Sequence, residues 1–255
     1  MRILGIESSC DETSASVVED GRRILSNVVF SQEPLHKPFQ GIVPEVASRA
    51  HLENINRVVE KALRNLKPKP HGMIDVIAVT AGPGLIGSLL VGKMTAEALG
   101  WVWDKPVIGI NHLEAHLAAN NLQEEYFAPP FVGLIVSGGH TDLVHVVKWG
   151  TFRVMGRTRD DAAGECFDKA AKIFGLGYPG GPEIDRCAKS GHAGAFKFPR
   201  PYLNGSRDFS FSGLKTSALY TVRELERKNI RMTAQLTADL CSSFQAAVVD
   251  VLVNK

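Results

Sequence analysis

The chain lacks most of the features that narrow a function quickly. It has only four cysteines, Cys10, Cys166, Cys187 and Cys241, with no C-x-x-C pair among them. That argues against a disulfide framework or a zinc knuckle and fits reduced thiols. Charge of one sign is missing too. The 29 Lys and Arg stand against 27 Asp and Glu, a formal +2, so no global field points to nucleic acid or membrane. No apolar run approaches the roughly 18 residues of a membrane span. The start, Arg2-Ile3-Leu4-Gly5-Ile6-Glu7, meets a charge too soon for a signal peptide and reads as a strand. A cytoplasmic protein is the expectation. What remains is an ordinary globular composition, and 255 residues are enough for two lobes.

The informative stretch is Val136-Ser137-Gly138-Gly139-His140-Thr141. The apolar run Phe131–Val136 before it reads as a buried strand, and Leu143–Val147 after it as a hairpin partner. Glycines let backbone N–H groups approach a ligand closely, and such a nest suits phosphate. The same layout occurs earlier. Leu4-Gly5-Ile6 matches Val132-Gly133-Leu134, and polar turns follow that end at Thr13 and Thr141. Further strands lead to Asp20-Gly21 and Trp149-Gly150, and third strands begin near Arg23 and Phe152. The repeat predicts three antiparallel strands twice over, each set followed by helices. That is an α/β chain with the duplicated actin-like, Hsp70-like and sugar-kinase-like (ASKHA) fold, in which two lobes hold a nucleotide in a cleft. The lobes are expected at residues 1–125 and 126–255.

Pro44–Leu66 reads as a helix whose apolar stripe includes Leu52, Ile55, Val59 and Leu63. Lys67–Gly72 is a loop, and Ile74–Val79 a buried parallel strand. A helix over Ile86–Trp103 carries small residues for close packing. Val107–Ile110 is a further buried strand, with Asn111 capping the next helix. Later helices are expected at Asp160–Phe174, Glu183–Ser190, Ser212–Arg227 and Thr233–Val253, with Gly175–Pro182 and Gly191–Phe211 as loops. The strands that would complete the second lobe do not appear before Lys255, so that lobe is expected to be incomplete and the chain a truncated form.

Several constellations can carry chemistry. His112 and His116 stand at i and i+4 on a predicted helix, a spacing that puts both imidazoles on one face for a metal ion. Glu114 is not adjacent to the first histidine, so the H-E-x-x-H arrangement of a metalloprotease is not met. Asp11 and Glu12, in the first polar turn, can orient a water, a metal or an attacking amine. Glu165 and Asp168 can reach ribose hydroxyls from a helix. Gly180 and Gly181 lie between prolines, in a loop that can approach a ligand, and Asp185 is a further hydroxyl acceptor. Between Lys197 and Arg231 eight cations face Asp208, Glu224 and Glu226, and Phe196, Phe198, Tyr202, Phe209 and Phe211 interleave with them. Basic and aromatic residues together read as an RNA surface.

Gly5–Thr13, Gly41–Glu45, Thr80–Leu85, the His112/His116 pair, Val136–Thr141, Tyr178–Pro182 and Phe209–Thr216 together resemble the universal tRNA N6-adenosine threonylcarbamoyltransferase family, TsaD, in its bacterial form. The likeness runs along the whole chain. It implies transfer of a threonylcarbamoyl group from threonylcarbamoyl-AMP to N6 of adenosine 37 in tRNAs reading codons that start with A. It implies a metal, iron or zinc, on His112 and His116, with a third ligand Asp beyond Lys255. The adenylate, or ATP, ADP or AMP in its place, would lie against Ile135, Val136, Ser137, Gly138, Gly139, His140 and Thr141, with Glu165, Asp168, Gly181 and Asp185. The family's adenine-binding Asn would also lie beyond Lys255. The expected partners are tRNA, a paralogous subunit of the same fold (TsaB), a small P-loop ATPase (TsaE) and the synthase that supplies threonylcarbamoyl-AMP, with no membrane. The residues alone leave open a metalloprotease, an ATP-driven chaperone-like or sugar-kinase-like switch, and a non-catalytic scaffold of the same fold.

Overall fold

The structure, a computed structural model, describes residues 1–66, 70–122, 127–203 and 205–255. The chain folds as two units, Met1–Phe127 and Ala128–Lys255. The boundary expected between residues 125 and 126, and residues 67–69 of the loop expected over Lys67–Gly72, lie outside the described residues; the end of that loop forms a 3-10 turn, Pro70–Met73.

The first unit is built on a five-stranded sheet of order β3-β2-β1-β4-β5. Its strands are β1 (Arg2–Glu7), β2 (Glu12–Glu19), β3 (Arg23–Ser31), β4 (Val76–Gly82) and β5 (Val107–Asn111). β1 pairs antiparallel with β2 and parallel with β4, and β4 runs parallel to β5. β2 begins earlier than its apolar residues suggest, so Glu12 and Thr13 belong to a strand and the polar turn shrinks to Ser8–Asp11. A four-residue helix, α1 (Glu33–His36), follows β3. Two long helices, α2 (Pro44–Leu63) and α3 (Ile86–Trp103), pack on the sheet.

Leu4, Ile6, Ala15, Val17 and Ile77 of the strands form one core with Ile55, Val59 and Ala62 of α2 and Ala96 of α3. Burying each large aliphatic side chain contributes about 1.5–3 kcal/mol. α3 turns its small residues Ser88, Gly92, Ala96 and Gly100 inward. Any Cβ on Gly92 would lie 2.3 Å from Ser8 Oγ, so the helix approaches the β1 turn as closely as it does only because glycine stands there. Leu52 does not join the buried stripe and is 67% exposed. β5, expected to be buried, is the edge of the sheet, and Ile108 is 49% exposed. After β5 the chain turns into a short helix, α4 (His112–Ala118).

The second unit repeats the three-strand motif as β6 (Phe131–Val136), β7 (Thr141–Lys148) and β8 (Thr151–Arg157), in the order β6-β7-β8. Both neighbouring pairs are antiparallel, as in β1-β2-β3. β6 does not carry the full burial expected of it. It is an edge strand in which Ile135 is buried while Val132 and Val136 are 57% and 45% exposed. The shared strand order of the two units, with parallel strands added to the first, is that of the duplicated ASKHA fold.

Four helices follow: α5 (Ala163–Ile173), α6 (Gly180–Ala188), α7 (Ser212–Arg227) and α8 (Ala234–Val253). α5 starts later than expected because Asp160 is engaged elsewhere. Its carboxylate accepts the Phe211 N–H at 2.7 Å and the Ser212 N–H at 3.2 Å at the start of α7, and the Ser210 and Ser212 hydroxyls add to its hold. α6 starts earlier than expected, at Gly180, so the glycine pair lies in its first turn rather than in a loop.

Phe244 of α8 is the centre of this core. It meets Phe167, Phe174 and Phe198 edge-on at 5.8, 5.9 and 5.7 Å. By length and mean hydropathy, 1.5 over an 18-residue window, α8 is apolar enough to cross a membrane, although Asp239, Ser242, Ser243 and Asp250 interrupt any continuous apolar run in it. Its Leu240, Cys241, Phe244, Ala247, Val248 and Val251 are buried in the unit's own core. Its acids face other segments, Asp239 accepting the His192 N–H and Asp250 pairing with Arg200.

Candidate functional site

The first unit gathers its polar residues at the end of β1. Alternation along β1 buries Leu4 and Ile6 and leaves Glu7 to the other face. The Glu7 carboxylate accepts the Thr80 hydroxyl from β4 at 2.6 Å and the Ser9 N–H from its own turn, and it lies 3.2 Å from His112 Nδ1. Desolvation there pushes the Glu7 carboxyl up. The hydrogen bonds from His112, Ser9 and Thr80 outweigh it and bring the group to about 2.

α4 is held in place by Asn111, whose Oδ1 accepts the Leu113 and Glu114 N–H groups at 2.9 and 3.2 Å. One turn of helix then brings His116 Nε2 to 3.1 Å from His112 Nε2. Two nitrogens bound to one tetrahedral or octahedral ion at about 2.1 Å stand about 3.0–3.4 Å apart. The pair therefore fits a shared metal, and the carboxylate behind His112 matches the usual support of a ligating imidazole. Among the described residues no group of three or more His, Cys, Asp or Glu is gathered to hold an ion.

Asp11 and Glu12 close the same turn. The Asp11 carbonyl accepts the Gln32 N–H at 3.0 Å. Beneath the turn His51, buried in α2, spans Thr13 Oγ1 at 2.7 Å and the Cys10 carbonyl at 3.0 Å. The carbonyl only accepts, so His51 Nε2 carries the hydrogen and Nδ1 takes that of Thr13. Burial lowers the His51 pKa and keeps the ring neutral. Glu12 is exposed at the start of β2, but the crowded turn partly desolvates its carboxyl. Repulsion and a hydrogen bond from Asp11, with Glu7 and Glu33 nearby, add to this and raise its pKa to about 7. Cys10 is no nucleophile here, since burial and the same acids push its thiol up to about 12.

The second unit makes its turn from backbone. The Ser137 N–H donates to the His140 carbonyl at 2.8 Å, and the His140 N–H donates to Ser137 Oγ at 3.0 Å. The N–H groups of Gly138 and Gly139 donate to no acceptor among the described residues, and a Cβ on either would meet open space. α5 is pinned directly behind. Its Gly164 N–H donates to the Ser137 carbonyl at 3.1 Å and its Ala163 N–H to Thr141 Oγ1 at 2.9 Å. The positive end of the α5 dipole thus backs two open backbone donors, an arrangement suited to phosphate.

The other predicted contacts divide. Ile135 and Thr141 are buried, so their side chains serve the fold; Thr141 props α5. Asp168 Oδ1 accepts the Gly180 N–H at 2.7 Å, which fixes the start of α6 beside α5. Gly181 has open space where a Cβ would stand. Glu165 pairs with Lys169 at 2.8 Å, and Asp185 accepts from Gln245 at 3.1 Å. The basic and aromatic stretch is not the surface expected. Phe198, Phe209 and Phe211 are core residues, and Arg200 and Lys215 pair with Asp250 and Asp161. Tyr220, 63% exposed on α7, is accompanied by Arg223 and Arg227 on that helix. Sequence reasoning missed Glu7 and His51 as supports. The spacing of His51 from the turn carries no signal, whereas Glu7 is visible as a charge ending an apolar strand.

A family model described as tRNA N6-adenosine threonylcarbamoyltransferase, TsaD, matches residues 23–255. A protein of that name from Clostridium perfringens (strain SM101 / Type A) is 53% identical over 253 residues, covering 99% of this chain and 74% of its own length. Another from Thermodesulfovibrio yellowstonii is 53% identical over 255 residues, covering 100% of this chain and 76% of its own. Among solved structures, the activator of the 2-hydroxyisocaproyl-CoA dehydratase from Clostridium difficile with bound ADPNP aligns over 100% of this chain and 74% of that one, at 14% identity and a TM-score of 0.49. The match over residues 23–255, together with identity above one half along nearly the whole chain, places it in the TsaD family of tRNA N6-adenosine threonylcarbamoyltransferases.

Proposed function

We propose that this chain is a cytoplasmic enzyme that transfers the threonylcarbamoyl group of threonylcarbamoyl-AMP to N6 of adenosine 37 in tRNAs reading codons that start with A. Family membership along residues 23–255 carries the reading. His112 and His116 would hold a divalent ion, iron or zinc, which when bound supplies Lewis acidity at the acyl carbonyl. The N–H groups of Gly138 and Gly139 would take the phosphate of the adenylate, which leaves as AMP. Gly181 and Asp185 would line its ribose side, with Asp168 fixing that segment; Glu165 stands on the same helix.

The exocyclic amine of adenosine is a poor nucleophile, so its proton needs an acceptor. Glu12, with a pKa of about 7, suits a general base at neutral pH, and Asp11 beside it favours the role by repulsion. Tyr220, Arg223 and Arg227 on the outer side of α7 offer tRNA one stacking ring and two phosphate contacts. Leu52 of α2 and Leu90 and Met94 of α3 are 67%, 52% and 58% exposed and line one groove. That groove would receive a paralogous subunit of the same fold (TsaB), while a small ATPase (TsaE) and a threonylcarbamoyl-AMP synthase complete the system. Leu52→Arg is expected to abolish co-purification with the paralogue without unfolding the chain; unchanged pull-down would remove this surface from consideration.

The test of function is incubation of the protein and its partners with unmodified tRNA, threonine, bicarbonate and ATP, with nucleosides read by mass spectrometry. The expected product is threonylcarbamoylated adenosine at position 37. Cleavage of a glycoprotein with no modified nucleoside would favour a metalloprotease instead.

A further inference from the structure

We propose that Glu7 is a positioning residue for the metal pair: it holds the His112 ring in the one tautomer and orientation that turn the Nε2 lone pair toward the ion shared with His116. The inference rests on the metal-binding reading of that pair.

Three elements determine where the Glu7 carboxylate sits. β1 delivers it, the Thr80 hydroxyl of β4 bonds Oε2 at 2.6 Å, and the Ser9 N–H of the turn bonds Oε1. Little freedom is left to the group when it meets His112 Nδ1, at 3.2 Å from Oε2. A carboxylate has only acceptor sites, so the hydrogen must be on Nδ1 and Nε2 is bare. Ser9 Oγ stands 3.2 Å from the same Nδ1 and steadies the ring from a second side. Nε2 then lies 3.1 Å from His116 Nε2, the separation an ion needs. Without Glu7 a neutral imidazole can place its hydrogen on either nitrogen, and the Nε2–H form binds no metal there. Such a supporting carboxylate also raises the basicity of its ligand, and losing one typically costs about 10–100-fold in metal affinity.

Glu7→Gln keeps the shape and, through its amide oxygen, the Ser9 contact, but it removes the charge and puts an NH2 donor where Oε2 accepted from Thr80 and faced His112 Nδ1. The test compares it with the wild type in two measurements, imidazole nitrogen chemical shifts of the metal-free protein and Zn2+ titration by calorimetry. In the wild type, His112 is expected as the Nδ1–H form alone. In Glu7→Gln the Nε2–H form should become populated, with Zn2+ bound about 10–100-fold more weakly and circular dichroism unchanged. Thr80→Val, which leaves the carboxylate but removes one of its anchors, should weaken Zn2+ binding by a smaller factor. If Glu7→Gln binds Zn2+ as tightly as the wild type and keeps the same tautomer, the proposal is overturned and Glu7 serves only the turn. A wild-type protein that takes up no Zn2+ at all would instead defeat the metal reading beneath it.

Discussion

The turn after β1 is filled with side chains, and the turn after β6 is stripped to backbone. Both join the first two strands of the same three-strand motif. Around Ser8–Asp11 stand Glu7, Thr80, His112 and His51, all hydrogen-bonded to one another or to the turn. Around Ser137–His140 the corresponding work falls to Ser137 and to the first turn of α5. On the proposed function one copy of the motif would supply ligands and acid–base groups, and the other would supply the amide donors of Gly138 and Gly139, whose Cα atoms face open space. An acyl-adenylate needs both kinds of help, one at its carbonyl and one at its phosphate.

Both turns nevertheless rest on a glycine, and this gives the largest test of the comparison. A Cβ on Gly164 would lie 2.7 Å from the Ser137 carbonyl oxygen and 2.8 Å from Gly138 Cα. On Gly84 it would lie 2.7 Å from both Ser9 Cβ and the Ser9 carbonyl oxygen. Backbone atoms cannot swing aside, so Gly164→Val and Gly84→Val should each cost about 3 kcal/mol by overpacking, read as a shift in the urea midpoint. The functional losses should divide. Gly164→Val should lose adenylate binding and keep the Zn2+ affinity of the wild type, and Gly84→Val should do the reverse. Loss of both in either variant would mean that the turns are not separate devices.

A smaller effect sharpens the contrast through pH, because only the first turn carries a carboxyl raised well above its ordinary 4.5, Glu12 at about 7. A raised carboxyl favours its protonated form in the folded state. Its stabilising share is therefore complete below pH 4.5 and is lost as pH rises through about 7. Glu12→Gln should equal the wild type in stability near pH 4 and exceed it at pH 8. Exposure of the side chain keeps that gain to under about 1 kcal/mol. Transfer by the wild type should rise with pH through about 7, and Glu12→Gln should be slow with no such step. A variant that keeps the step would assign the proton acceptor to another group.

Much of this was legible in the residues. The offset between Gly5 and Gly133 announces the duplicated motif, and the i, i+4 histidines announce a shared face, because both depend on spacing along the chain. What escaped depends on which elements end up as neighbours. The apolar runs of β5 and β6 look like buried strands, yet each lies at a sheet edge with one partner and keeps exposed residues. Phe209 and Phe211 look like a stacking platform among cations, yet they fill the core between α5, α7 and α8. Asp160 looks like the start of one helix and instead caps another, some fifty residues further along. Composition records how apolar a segment is, and only the fold decides which side of it meets water.

The smallest structural effect with a definite functional consequence belongs to the bare turn. Gly138 and Gly139 have no positive φ and no neighbour within reach of a Cβ, so neither is required by the backbone or by packing. If these positions were glycine for the sake of the fold, Gly138→Ala would destabilise the chain. On the present reading it should change stability by no more than about 0.5 kcal/mol, because the added methyl meets only open space. The same methyl would stand beside the amides offered to the phosphate, so affinity for an adenylate should fall while the Zn2+ titration is untouched. Ser137→Ala provides the opposite control. It removes the hydroxyl that accepts the His140 N–H at 3.0 Å, and should cost about 1 kcal/mol of stability as well as binding. If Gly138→Ala bound the adenylate as tightly as the wild type, the glycines would be incidental, and the second turn would no longer be the counterpart, in amide donors, of the first.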